Sequence, residues 1–243
     1  MFGLGRHNLP KNFFQGACDV HCHLLPGVDD GFSTTEKSLH ALKKLEEHGI
    51  TKMVLTPHFM NDYPENNRTT IIKKFEVFKA EASRVSQIEL RLGGEYMLDA
   101  RFMEHFEQGF LALDQKGKHV LCETSYLFYE PNISQMLYDI MCADWQPIIA
   151  HPERYEYANK RDYAHWKDKR YKFQLNLLSF AGVYGEMAKA KALELLKEDF
   201  YDYIGSDMHS LGNFERFLPK MRFKPREIDM IGQLLENNKK LFG

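Results

Sequence analysis

The segment DVHCHLLPGVDDG, residues 19–31, constrains this chain most. Side chains along an extended strand repeat with period two, so His21 and His23 face the same way and can grip one metal ion. Pro26 and Gly27 then turn the chain, and Asp29 and Asp30 return two carboxylates on a short loop shut by Gly31. A solitary HxH pair arises often by chance. Its weight here depends on whether the rest of the chain supplies matching ligands.

Hydrophobic runs of β-type composition alternate with helical periodicity along almost the whole length. The runs fall near 17–21, 51–58, 88–95, 119–124, 146–151, 172–176 and 202–207. The spacing between them predicts helices near 33–49, 68–85, 99–108, 133–142, 161–168 and 183–198, with a last one near 225–240. The first helix reads as opening on a capping box, Ser33 at the N-cap and Glu36 at N3, and as stopping near Gly49. Strand–helix alternation implies a parallel sheet with helices packed outside it. Seven such units favour a closed barrel related to the (β/α)8 type over an open doubly wound sheet. No Gly-rich dinucleotide fingerprint or P-loop follows the first strand. The 243 residues read as one domain, with 1–16 as an N-terminal arm.

In barrels of this kind the C-terminal strand ends form the active face. Metal-capable residues fall at six of the seven strand ends: His21 and His23, His58, Glu95, Glu123, His151, and Asp207 with His209. Any one of these has an ordinary explanation as a loop or solvated residue, but the set at one rim does not. His7, His40, His48, His105, His119 and His165 lie in the arm, helices or strand starts and read as structural. Imidazole and carboxylate donors without thiolate suit manganese, iron or zinc, and more than one ion. Such clusters activate water and stabilise charge on phosphoryl oxygens, which suits phosphate ester hydrolysis, with amide or deaminase chemistry as the competitor.

Other classes are set aside by simpler observations. A formal charge of −2 carries no signal for nucleic acid or a membrane surface. No apolar run approaches the roughly 20 residues of a membrane span, and the N-terminal segment has no signal-type apolar region. Few cysteines point to a reducing cytoplasm. None of Cys18, Cys22, Cys122 and Cys142 is followed by an arginine six positions on, so the C-x5-R loop of thiol-based phosphatases is absent.

Taken in order, DVHCHLLPGVDDG, TPH, GGEY, LCETSY, AHPERY and GSDMHS resemble the polymerase-and-histidinol-phosphatase (PHP) superfamily. Within it they most resemble the bacterial manganese-dependent tyrosine phosphatases of capsule and exopolysaccharide operons. The resemblance runs from about residue 18 to 211. It implies a distorted (β/α)7 TIM-like barrel with three metal ions, manganese first and iron or zinc as alternatives. His21, His23, Glu95 and Asp207 would hold the first ion. Glu95, Glu123 and His151 would hold the second, with Glu95 bridging, and Asp30, His58 and His209 the third. Asp29 would brace the loop or a neighbouring ligand. Arg154 matches an arginine used near the substrate phosphate. The catalytic set is then Arg154, His209 and Asp207, with a metal-activated hydroxide attacking phosphorus in line and either a metal-bound water or His209 protonating the phenol. The implied substrate is a phosphotyrosine protein, a bacterial tyrosine kinase controlling capsule or exopolysaccharide synthesis. A small-molecule phosphatase of the histidinol-phosphate type and a non-catalytic metal-binding module are the other readings.

One departure stands out. The family carries a second arginine soon after the SDMH block, whereas here Arg216 is displaced and is the candidate for that substrate-binding role. The basic stretch 212–226 reads as a solvated loop, with guidance of an acidic phosphopeptide as the functional alternative. Among the rim aromatics Phe59, Tyr63, Tyr126, Phe128, Tyr129 and Tyr155, the residues Tyr155 and Phe59 are the first candidates to sandwich a phosphotyrosine ring, with core packing against the helices as the alternative reading for most of the set.

Overall fold

The computed structural model describes residues 5–243, so the first four residues of the expected arm lie outside it. Among the described residues, nine strands lie in two parallel sheets. The smaller sheet holds β1 (Ala17–Cys22), β2 (Ile50–Leu55) and β4 (Glu89–Leu92), in the order β1-β2-β4. The larger holds β3 (His58–Phe59), β5 (Glu95–Met97), β6 (His119–Glu123), β7 (Gln146–Ala150), β8 (Lys172–Asn176) and β9 (Tyr203–Gly205), in chain order. Two of the predicted strands are each broken in two, at Thr56–Pro57 and at Gly93–Gly94. Proline lacks a donor for the ladder, which explains the first break.

Helices α1 (Thr35–Glu47), α2 (Arg68–Ala82), α3 (Phe102–Gln108), α4 (Ile133–Cys142), α5 (Lys160–Asp168) and α6 (Gly185–Lys197) connect the strands, and α8 (Pro225–Phe242) ends the fold. The cap of α1 differs from expectation. Thr34 is the N-cap and accepts from the Lys37 amide at 3.4 Å, while Ser33 Oγ accepts from Lys37 Nζ at 3.1 Å instead. The basic stretch is not a free loop either. It forms α7 (Leu211–Phe217) and a 3-10 turn over Leu218–Lys220, driven by the buried side chains of Leu211, Phe214, Met221 and Phe223. Phe223 also exchanges backbone hydrogen bonds with His7, which fixes the arm on the body of the protein.

The strands show the period-two alternation of a sheet buried on both faces. Leu121, Ile148 and Ala150 pack in an inner cluster with Val20, Val54 and Phe242. Val120, Cys122 and Ile149 face the outer cluster beneath the helices. Phe242, from the end of α8, lies under the Arg91 guanidinium, 3.9 Å from its ring centroid.

The ends of the strand series, β1 and β9, meet through side chains more than through a ladder. Asp207 N donates to His21 O at 2.8 Å, His23 N donates to Met208 O at 3.1 Å, and Cys22 and Met208 form a single parallel bridge. Buried Asp19 accepts from Ser206 N at 3.0 Å and Ser206 Oγ at 2.6 Å. Buried Asn238, on α8, donates to Cys18 O at 2.8 Å and Ile204 O at 2.6 Å, and accepts from Ile204 N at 3.1 Å. Leucine at 238 would leave these three backbone groups unpaired away from water. Asn238→Leu is therefore expected to destabilise the protein by on the order of 3 kcal/mol in urea denaturation; a loss below about 1 kcal/mol would show that the seam does not depend on this side chain.

Candidate metal centre

Nine of the sequence-nominated residues converge at the C-terminal ends of the strands. The pairing of β1 with β2 is irregular between Asp19 and Cys22, and His23 lies just past the strand. The two imidazoles nevertheless turn to the same side, flanking Cys22. Their Nε2 atoms are 3.2 Å apart. Each ring is turned by its other nitrogen: His21 Nδ1 is 2.8 Å from Gln174 Oε1, and His23 Nδ1 is 2.9 Å from Asp29 Oδ2. Such outer partners fix which nitrogen faces the centre.

Glu95 sits at the middle. Its Oε2 is approached by His21 Nε2 at 3.1 Å, His23 Nε2 at 3.2 Å and His58 Nδ1 at 3.3 Å, and its Oε1 by His151 Nε2 at 3.0 Å. Asp207 divides its two oxygens. Oδ1 lies 3.3 Å from both His21 and His23, while Oδ2 accepts from Asn176 Nδ2 at 2.7 Å and Arg154 Nη1 at 2.8 Å. Glu123 does the same, with Oε1 3.0 Å from His58 Nδ1 and Oε2 accepting from Tyr126 Oη at 3.0 Å. His151 and Asp207 both have left-handed backbones, with φ of 31° and 48°. Non-glycine residues persist there only when the surroundings over-determine them, a pattern that clusters at functional sites.

Three donor groups result: His21, His23, Glu95 and Asp207; His58, Glu95 and Glu123; and His23, Asp30, His58 and His209. The partition differs from the expected one in two respects. His58 stands closer to Glu123 than His151 does, since His151 Nε2 is 3.9 Å from Glu123 Oε2. His23 also borders the outer group, its ring stacked 3.9 Å from that of His209. Asp29 and Asp30 separate cleanly. Asp29 accepts from the amides of Gly31 and His58 and orients His23, whereas Asp30, with its side chain 59% exposed, faces His58 Nε2 at 3.5 Å and His209 Nε2 at 3.3 Å. Gly31 is required for this loop, because a Cβ there would stand 2.3 Å from His23 O.

Charge is concentrated accordingly. Burial alone would raise the Glu95 and Asp207 carboxyls, yet the surrounding imidazoles outweigh it and hold both well below the usual range. Burial likewise lowers His58, but Glu123 and Glu95 win and push it up to about 9. The His209 hydrogen bond brings Asp30 down to about 2.

The other nominated residues fall in different places. Arg154 lies beside the centre, its guanidinium 4.2 Å from the Tyr126 ring and 4.1 Å from the Tyr184 ring. Tyr63 stacks on His58, with ring centroids 5.9 Å apart. Tyr155 and Phe59 do not line the site. Tyr155 is fully buried, donating to Ala150 O at 2.8 Å and accepting from Thr124 N at 3.2 Å, and Phe59 is buried against Tyr96. Phe128 and Tyr129 are exposed. Arg216 is exposed on α7, over the Phe217 ring. Cys18, Cys22 and Cys122 are buried, which raises each thiol far from the thiolate form. Sequence reasoning passed over Gln174, Asp19, Asn176, Glu153 and Tyr184. Glu153 is buried and accepts from Asn176 N at 2.9 Å, Ser179 Oγ at 2.7 Å and Tyr201 Oη at 2.9 Å, so it anchors the residue that holds Asp207.

Comparison with known proteins places this arrangement. The family model described as capsular polysaccharide synthesis, CpsB/CapC, matches residues 17–229. Tyrosine-protein phosphatase YwqE of Bacillus subtilis is 25% identical over 202 residues, covering 79% of this chain and 77% of its own. Tyrosine-protein phosphatase CpsB of Streptococcus pneumoniae is 27% identical over 203 residues, covering 79% and 83%. A structure solved with YwqE and S. pneumoniae CpsB, described as metal-dependent tyrosine phosphatases, superposes with a TM-score of 0.78 at 22% identity, covering 92% of this chain and 93% of the other. Histidinol phosphate phosphatase of Lactococcus lactis superposes with a TM-score of 0.51 at 16% identity, covering 94% and 95%. The last two likenesses concern the fold. With the model match running through nearly all of its strands and helices, the chain belongs to the CpsB/CapC family of capsular polysaccharide synthesis.

Proposed function

We propose that this protein is a metal-dependent protein-tyrosine phosphatase, hydrolysing phosphotyrosine on a protein substrate, a bacterial tyrosine kinase of capsule or exopolysaccharide synthesis. The observation that carries the reading is Glu95: a buried carboxylate faced by four imidazoles, beside an arginine that opens on a cavity of about 230 Å³. The relatives named as tyrosine-protein phosphatases support the substrate class.

The donors fit divalent metal. Glu95 Oε2, Glu123 Oε1, His58 Nδ1 and His151 Nδ1 are buried without a hydrogen-bond partner among the described residues. Each unpaired buried group costs about 1–3 kcal/mol. Several of them facing one another at about 3 Å make sense as a cage for a cation. Oxygen and imidazole donors suit manganese, with iron or zinc compatible. With each imidazole given to a single ion, His21, His23, Glu95 and Asp207 would hold one ion, Glu95, Glu123 and His151 a second, and Asp30, His58 through Nε2 and His209 a third. When bound, the ions supply Lewis acidity toward water and phosphoryl oxygens.

The chain's own residues do the rest. Gln174 and Asp29 aim the inner imidazoles. Asp207 ties those donors to Arg154, which is placed to donate to phosphoryl oxygens as negative charge moves toward the leaving group. His209 stands at the solvent side of the outer group, beside the mouth where the phenol must leave. A phenol, with a pKa of about 10, needs less protonation than an alkyl alcohol. Buried thiols leave no cysteine nucleophile among Cys18, Cys22 and Cys122, which fits a reaction without a covalent enzyme intermediate.

The framework belongs to the same proposal. We infer one distorted (β/α)7 barrel and a single domain over 1–243, supported by the two broken strands and by the bonds that join β1 to β9. No described helix is long and apolar enough to cross a membrane. Four free cysteines, three of them buried, suit a cytoplasmic setting.

The manganese-loaded protein is expected to hydrolyse p-nitrophenyl phosphate and a phosphotyrosine peptide, to lose both activities with a chelator, and to prefer the peptide over histidinol phosphate assayed in parallel. Activity that survives complete metal removal, or a strong preference for histidinol phosphate, would overturn the assignment. Glu123→Ala and His151→Ala should each lower turnover by at least about a hundredfold with unchanged circular dichroism; near-native turnover in either would remove that residue from the site. Metal loading should also release protons. The imidazole of His58 is pushed up to about 9, so it is protonated at neutral pH without metal and must lose that proton to become a ligand. Apparent affinity should therefore rise with pH between about 6 and 9. Calorimetry in buffers of different ionisation enthalpy checks this, and zero net proton release would contradict it.

A further inference from the structure

We propose that Tyr126 and Tyr184 are positioning residues that clamp the Arg154 guanidinium between two rings, so that it presents one fixed edge to a phosphoryl group. The inference rests on the reading that this site takes a phosphate ester. Arg154 Cζ is 4.2 Å from one ring centroid and 4.1 Å from the other. In the proposed clamp the two rings take opposite faces of the guanidinium, each within stacking range of its central carbon. Only the in-plane edge is then left for hydrogen bonding. Asp207 Oδ2 holds one end of that edge at 2.8 Å from Nη1. The remaining donors of the planar fork suit a tetrahedral oxyanion.

The two rings come from distant parts of the chain, one just after β6 and the other just before α6. Tyr126 Oη donates to Glu123 Oε2 at 3.0 Å, so one face of the clamp is tied to the metal donors. Tyr184 lines the mouth cavity together with Asp30, Arg154, Asp207 and His209.

The clamp has a reason in this chain. Arg216 points elsewhere, exposed and stacked on Phe217, so Arg154 is the one arginine or lysine among the described residues that line the mouth. A long arginine side chain loses rotamer freedom when it engages phosphate. Fixing it beforehand removes that loss, which matters most where a single arginine serves. Stacking against two rings adds cation–π attraction in a largely desolvated place.

The test uses the manganese-loaded full chain with Tyr184→Leu, Tyr184→Phe, Arg154→Ala and the Arg154→Ala/Tyr184→Leu double variant. Binding of inorganic phosphate is measured by calorimetry, alongside manganese content and KM and kcat for p-nitrophenyl phosphate. Tyr184→Leu should weaken phosphate binding about tenfold and raise KM in step, with wild-type manganese content. Tyr184→Phe should stay within about twofold, since the ring and not the hydroxyl does the clamping. In the Arg154→Ala background, Tyr184→Leu should add nothing, because Tyr184 acts through that arginine. Unchanged phosphate binding in Tyr184→Leu, or an equal loss in both backgrounds, would overturn the clamp. If Tyr184→Leu loses its cooperative thermal transition, Tyr184→Met takes its place with the same expected pattern. A wild-type protein that binds phosphate but does not hydrolyse phosphotyrosine would sink the proposed function and leave the clamp to be judged by binding. A manganese-loaded wild type that binds no phosphate would end both.

Discussion

Glu95 is the point on which this structure turns. A buried carboxylate beside four buried imidazoles is costly unless its surroundings are held in place. Four of its neighbours are held by other side chains, while Glu95 Oε2, His58 Nδ1 and His151 Nδ1 have no hydrogen-bond partner among the described residues. Asp29 grips His23, Gln174 grips His21, Tyr126 grips Glu123, and Asn176 with Arg154 grips Asp207. Each divided carboxylate spends one oxygen on the protein and turns the other inward. The strand that carries Glu95 is interrupted immediately before it, at Gly93–Gly94, and its amide is bonded to Pro57 O at 3.1 Å across the other interrupted strand. The breaks and the centre thus occur at the same level of the fold.

The same level is reached from the other direction by the β1–β9 seam. A ladder there would fix only backbone spacing. Side chains fix orientation as well: Asp19 reaches Ser206, and Asn238 reaches both strands from α8. Gly205 permits the close approach, since a Cβ there would stand 2.5 Å from the Cβ of His21. Two residues later, Asp207 adopts its left-handed backbone and delivers Oδ1 to His21 and His23. Stabilisation at the seam and strain at Asp207 are two sides of one construction, because the strained residue is held by the bonds that join the strands.

Much of this was legible in the sequence because its signals are local. Hydrophobic periodicity located the strands and most helices, and the order of HxH, DDG, TPH, HPER and SDMH located the residues that converge. What stayed hidden depends on direction or distance. Tyr155 and Phe59 adjoin nominated residues in sequence, but neighbours along a strand or tight turn point to opposite sides, and both rings turned inward to the core. Gln174, Asp19 and Asn238 act across 153, 187 and 220 residues, separations at which no spacing rule operates. Thr34 is the cap in place of Ser33 because the helix begins one residue later, at Thr35, with Thr34 in the extended conformation of an N-cap. The stretch read as a basic loop folded because Leu211, Phe214, Met221 and Phe223 are spaced among its charges, so charge count alone was the wrong guide.

The donors are also graded in rigidity from the interior outward. His21, His23, Glu95 and Asp207 are all buried, and His21, His23 and Asp207 are each held by side chains from other strands or loops. The outer group contains half-exposed His209 and solvent-exposed Asp30, the latter on a loop that Asp29 braces from within. Screening by water weakens electrostatic coupling at the exposed end and strengthens it at the buried end. A site built this way keeps its deepest geometry fixed while its outer face adjusts to what arrives from solvent. Arg154 stands between the two regimes, since Asp207 ties it to the rigid interior and the cavity beside Tyr184 opens it to solvent. Its position therefore joins the part of the site that must not move to the part that must receive a substrate.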